Sequence, residues 1–155
     1  MIQRIQSVYL FVTTVLSFLF LKGSFLNFID KSGSVIKLTF IGIVREISAT
    51  RYELLEKSFP LSLIIILVPV LSAVTIFFFR KRSLQLWLAK FLIFFVAGLI
   101  FVTGLYAYLI ITNYHAEIVP GVKMIIPVLQ LIFSVLAFRG IKKDDNLVKS
   151  YDRLR

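Results

Sequence analysis

The chain has 155 residues, 59% of them hydrophobic, a mean hydropathy of +0.92 and a formal charge of +10, which is too oily for a water-soluble domain of its size. The absence of cysteine excludes disulfides, thiolate metal centres and redox thiols, and a single histidine, His115, leaves a catalytic zinc short of ligands. The positive charge does not announce nucleic acid, because Arg80, Lys81, Arg82, Arg139, Lys142 and Lys143 abut the ends of apolar runs, where basic residues set topology and meet anionic lipid.

Spanning a bilayer takes about 20 consecutive apolar residues. The first such run, Val8 to Leu21, is extended by Ile5, Gln6 and Ser7 and closed by Lys22, whose ammonium can snorkel to an interface, so a helix is expected over 5–24. Its outline resembles a signal peptide, but no small-x-small site follows, and an uncleaved helix is expected.

Residues 25–58 form a connection longer than neighbouring helices need, so structure is expected within it. Phe25 to Asp30 and Val35 to Ile43 have strand composition, with Lys31 to Ser34 supplying a glycine turn between them. Ile36, Leu38 and Phe40 alternate with Lys37 and Thr39, giving one apolar face. An antiparallel hairpin lying on the ends of the helices is therefore expected. Farther on, Thr50 and Glu53 fit a capping box and Glu53 can pair with Lys57, which predicts a short interfacial helix.

The second run, Phe59 to Phe79, carries no charge, and Pro60 fits its first turn, where a missing N–H costs nothing. A third helix is expected over 86–112 and a fourth over 118–138. Pro69 and Pro127 should kink the second and fourth helices. Gly98 and Gly104, with Ala97 and Ala107, should allow close packing on the third. Gln130 is the one amide deep within a run and is read as an intramembrane polar contact between helices. His115 and Glu117 are near each other but lack a nucleophile, so no active site is expected there. Phosphate loops, nucleophile elbows and paired carboxylates are also missing, so no enzyme activity, cofactor or metal is expected.

Basic residues resist translocation. Arg4, Arg80, Lys81, Arg82, Lys90, Arg139, Lys142, Lys143, Lys149, Arg153 and Arg155 fall on one side, and Lys22, Lys31, Lys37, Arg45, Arg51, Lys57 and Lys123 on the other. Both termini are therefore expected in the cytoplasm, with Trp87 at the inner interface and Tyr106, Tyr108 and Tyr114 near the outer one. The tail, 139–155, reads as helix from Asp144 onward, with Asp144 or Asp145 able to cap its start and Leu147, Tyr151 and Leu154 on one face.

Three stretches carry a family resemblance: Met1-Ile-Gln-Arg-Ile-Gln-Ser-Val-Tyr9, Arg80-Lys-Arg-Ser-Leu-Gln85, and Lys143-Asp-Asp with Leu147-Val-Lys-Ser150 and Asp152-Arg-Leu-Arg155. On these the chain resembles the bacterial domain-of-unknown-function 4293 family, small four-helix inner-membrane proteins of no assigned activity. Asp145 and Lys149 stand where that pattern has Glu and Arg, and no catalytic residue is implied.

All three stretches fall on the expected cytoplasmic side. Gln3, Arg4, Arg80, Arg82, Gln85, Asp144, Asp145, Asp152, Arg153 and Arg155 are therefore read as an ion-paired surface that closes the bundle and docks another component, the other reading being topology signalling and packing alone. The expected fold is an all-α membrane protein, a four-helix transmembrane bundle with a small β-hairpin in its first extracytoplasmic loop, forming one domain over 1–155. The expected function is non-enzymatic, as an accessory, scaffold or assembly subunit of a membrane complex. Its expected partners are the bilayer, anionic lipid at the cytoplasmic face and other membrane proteins. The alternative is a small-solute transporter or channel passing Pro69, Pro127 and Gln130.

Overall fold

The computed structural model describes residues 5–48 and 51–153, and it describes the backbone but not the side chains of residues 48, 80 and 149–153. Its elements run α1 (Ile5–Leu21), β1 (Ser24–Ile29), β2 (Val35–Thr39), β3 (Gly42–Ser48), β4 (Arg51–Lys57), α2 (Phe59–Phe77), α3 (Arg82–Tyr114), β5 (Glu117–Val119) and α4 (Ile126–Arg153). Three of the helical spans, Phe59–Phe77, Arg82–Tyr114 and Val122–Val148, are long and apolar enough to cross a membrane, and Ile5–Leu21 is a shorter apolar helix.

Each helix packs on two neighbours, α1 on α2 and α4, and α3 on α2 and α4, so the bundle closes in sequence order. Links between the helix pairs are short except for the first, and the contacts run antiparallel: Gln6 near the start of α1 meets Asp144 near the end of α4, and Ser17 meets Gln130. Leu10, Val68, Leu92 and Val96 fill the middle and are at most 1% exposed.

Across one end of the bundle lies an antiparallel five-stranded sheet in the order β4-β3-β2-β1-β5. Phe28, Ile36, Leu38 and Ile43 point from it into a core shared with Phe20, Leu61, Ile65, Leu99 and Ile110. The expected hairpin is present as β1 and β2, pairing Asn27 with Lys37 and Ile29 with Val35. Its turn is closed by Asp30, whose backbone N–H donates to the Ser34 carbonyl (3.0 Å) and whose carbonyl accepts from Gly33 (2.8 Å), with Gly33 at φ 79°. Such a positive φ is nearly free for glycine alone.

Elsewhere the sheet corrects the sequence reading. Val35 to Ile43 is not one strand, because the chain turns at Phe40 and Ile41 and re-enters the sheet as β3. Gly42 makes that turn possible: its φ is 155°, and a Cβ there would collide with the Glu56 carbonyl. The capping-box helix is also overturned, since Arg51–Lys57 is strand β4, pairing Glu53 with Arg45 and Tyr52 with Glu46. Cross-strand partners outweigh a local cap here, because a strand's preference is set mainly by what it packs beside.

The helices differ from expectation mostly at their ends. Residues 117–119 are not the start of a helix but strand β5, paired with β1 through Phe28 and Ile118, and a 3-10 turn over Val122–Ile125 leads into α4. Pro127 consequently occupies the first turn of α4, directly after that 3-10 turn, and not the helix interior. Pro69 does lie inside α2 and is buried, and Pro60 sits in that helix's first turn as expected. The tail is helical from Asp144 as expected, but as a continuation and not as a newly capped helix, since α4 runs unbroken through Gly140 to Arg153. Finally, Gly98 and Gly104 do not mediate close packing, because nothing lies within 4 Å of where their Cβ atoms would stand.

Candidate functional site

A helix surrounded by water turns its polar side chains outward, and this bundle does the reverse. Phe94, Phe101, Phe77 and Phe59 are 71%, 67%, 79% and 75% exposed, whereas Gln6, Thr13, Ser17, Ser72, Thr75, Gln85, Gln130 and Ser134 are all buried. Most of these buried polar groups form a seam along the contacts of α1 with α2 and α4. Thr13, Ser17, Thr75 and Ser134 donate to the carbonyl four residues back in their own helices. Thr14 donates to Ser72 Oγ (2.9 Å), and Ser72 donates across to the Leu10 carbonyl (2.8 Å). Gln130 Nε2 donates to Ser17 Oγ at 3.1 Å, joining α4 to α1.

At the end away from the sheet the seam widens into a cluster built from three distant segments. Gln6 Nε2 donates to the Asp144 carboxylate at 2.9 Å, and the Arg82 guanidinium donates to the Asp144 backbone carbonyl at 2.9 Å. Gln85 lies deeper, 1% exposed, and its Nε2 donates to the Thr75 carbonyl at 3.2 Å, locking the start of α3 to the end of α2. Gly140 lets α4 approach α1 here: a Cβ on it would stand 3.2 Å from Gln6 Cβ and 3.4 Å from Gln6 Oε1. Oε1 of Gln6, Gln85 and Gln130 is in each case buried without a partner.

Of the residues singled out by sequence, the structure brings Arg82 and Asp144 together and sets Gln85 beneath them in the interior instead of on a surface. Asp145 lies half-buried next to Asp144. Arg80, Asp152 and Arg153 belong to the described backbone only, and Gln3, Arg4 and Arg155 lie outside the described residues. Arg82 meets a main-chain carbonyl, and the Asp144 carboxylate is engaged by an amide. Among the described residues, two ion pairs lie in the sheet, Lys37 with Glu46 at 2.6 Å and Arg45 with Asp30 at 3.7 Å.

Sequence reasoning passed over Gln6 as a polar residue tolerated at the edge of a run. A signal was available, because Gln6, Leu10, Thr13, Ser17 and Phe20 recur at helical spacing and are the buried face of α1. Gly140 carried no such signal, since only the partner helix gives it meaning. His115 and Glu117 border a surface depression with Asp30 and Lys31 beside β5.

The class defined by this geometry is a closed antiparallel four-helix bundle with an inward polar seam, capped at one end by a small antiparallel sheet. The chain belongs to the family described as a domain of unknown function, DUF4293, whose model matches residues 2–154. No curated protein and no solved structure matches it.

Proposed function

We propose that this chain is a multi-pass protein of the bacterial inner membrane, both termini cytoplasmic, acting as a non-enzymatic accessory or scaffold subunit of a membrane complex. The inverted polarity of the bundle supports the membrane placement: large aromatics such as Phe94 and Phe101 face outward while the amides and hydroxyls are buried. In hydrocarbon that arrangement is the stable one, since polar groups there must find partners inside the protein.

The observation that carries the scaffold reading is the free edge of the sheet. Strand β4 ends the sheet, no described strand pairs with its outer side, and Tyr52 and Leu54 are 57% and 43% exposed. Natural proteins usually cover or shorten such an edge, because its open N–H and C=O groups recruit another strand. A seven-residue edge outside the bilayer fits a partner that adds a strand to it. The conduit alternative has less support. Pro127 lies in the first turn of α4 and not at its middle, Gln130 is bonded to Ser17, and fully buried apolar side chains occupy the bundle centre.

Purification in mild detergent after in-cell cross-linking tests the reading. A stoichiometric membrane partner is expected to cross-link to β4, and the Tyr52→Lys/Leu54→Lys variant is expected to lose it while its melting temperature is unchanged. Recovery of the bare chain, with no partner at β4, refutes the proposal.

A further inference from the structure

The open N–H and C=O groups along β4 call for a strand, and the side chains of β4 state which strand fits. Every residue of β4 except Leu55 is exposed, so no described element covers the edge. Tyr52, Glu53 and Leu54 stand opposite Glu46, Arg45 and Val44 of β3, and alternation along β4 is regular from Arg51 to Leu54. Arg51 and Glu53 therefore share one face and Tyr52 takes the other, where the Lys37 ammonium lies 5.5 Å from its ring centroid.

A two-fold axis perpendicular to the sheet makes two such edges antiparallel neighbours, each residue meeting the one equally far beyond the axis. With the axis at Tyr52, each Arg51 stands opposite the second copy's Glu53, and the two Tyr52 rings meet between their Lys37 ammoniums. Arg45 already faces Glu53 across β3 and β4, so the joint continues that alternation of charge by one more strand. An axis at Arg51, Glu53, Glu56 or Lys57 sets a charge against itself. One at Leu54 sets Glu53 against Glu56, because Leu55 is the bulged residue between them. Like charges directly opposite are destabilising, and the register at Tyr52 has none.

The same axis keeps both bundles on one side of the joined sheet, as two copies in one bilayer require. Five strands spaced by about 4.8 Å span about two helix diameters, so the bundles stand side by side without overlap.

We propose that the strand completing β4 belongs to a second copy of this chain, paired antiparallel about Tyr52 so that two five-stranded sheets become one. The overlap of Arg51 to Glu53 equals the three-residue ladder by which β5 holds β1 at the other edge. This inference rests on the reading that β4 recruits a strand, and it names the partner.

Because the chain has no cysteine, single-cysteine variants read the register directly. Residues directly opposite in an antiparallel pair have Cα atoms about 4.5–5.5 Å apart, within disulfide reach. Purified Tyr52→Cys, diluted in liposomes and oxidised, is expected to run as a disulfide dimer. Leu54→Cys, which the axis holds about 14 Å from its copy, is expected to stay monomeric. Arg51→Glu in the Tyr52→Cys chain sets like charges together twice and should lower the dimer yield by about threefold, while Arg51→Lys keeps it. Within its own sheet Arg51 is opposite Ser48, so both variants should fold, as circular dichroism checks. Equal cross-linking of Tyr52→Cys and Leu54→Cys overturns the proposal, as does a yield unmoved by Arg51→Glu. A Tyr52→Cys chain that stays monomeric in liposomes, while β4 cross-links a different membrane protein in cells, overturns this partner and leaves the scaffold reading standing. A β4 that cross-links nothing in either setting overturns both.

Discussion

Gly140 and Gly104 both lie inside long helices, and replacing either by leucine should act in opposite directions. Each replacement removes the helix penalty of glycine, about 1 kcal/mol. At Gly104 nothing lies within 4 Å of the new Cβ, so that gain should remain. At Gly140 the new Cβ begins 3.2 Å from Gln6 Cβ, and the rest of the leucine must displace α1. Overpacking costs about 1–3 kcal/mol. Pulling Gln6, 3% exposed, away from Asp144 leaves a buried amide unpaired, at about 1–3 kcal/mol. The net is a loss of about 3 kcal/mol for Gly140→Leu, which for a chain of 155 residues corresponds to a melting temperature lower by about 10 °C. Gly140→Ala, needing a shift of only a few tenths of an ångström, should be near neutral. Thermal unfolding of the purified variants, followed by circular dichroism in one detergent, gives all three values. If Gly140→Leu and Gly104→Leu melt within 2 °C of one another, the close approach of α1 and α4 at Gln6 is wrong.

The remaining predictions concern the seam and the sheet. In a double-mutant cycle, Gln130→Leu and Ser17→Ala should couple by about 0.6 kcal/mol, the usual worth of one interhelix hydrogen bond in a membrane protein, and a coupling of zero would remove that contact from the account. Gly42→Ala should disturb the pairing of β3 with β4, because its Cβ has no room beside the Glu56 carbonyl; faster amide exchange at β4 is the expected readout, and unchanged exchange there would contradict the close approach of Gly42 to Glu56.

Much of the architecture could be read directly from the residues. Phe59–Phe77 and the middle of α3 declare themselves by run length, which needs no partner to interpret. The β1–β2 hairpin was equally legible, because Asp30 to Ser34 carries a local turn whose hydrogen bonds are made within five residues. Legibility failed where a residue's meaning came from elsewhere in the chain. Thr50 and Glu53 look like a helix cap, yet Tyr52 to Lys57 carries no period that favours helix over strand, and β3 decides by pairing with it. Glu117–Val119 has three residues and no signal of its own; it is a strand because β1 lies alongside. The candidate docking residues divided in the same way, with Arg82 and Asp144 meeting while Gln85 turned inward to Thr75.

What the sequence determined alone was the set of helices, their oily exterior and the first turn of the sheet. Those depend on local composition and on hydrogen bonds between near neighbours in the chain. The tertiary structure decided the five-stranded cap, the unbroken run of α4 through Gly140, and the burial of Gln6 against Asp144. Each of these depends on two surfaces distant in sequence fitting together, so the free energy that selects them belongs to the pair and is written in neither segment by itself.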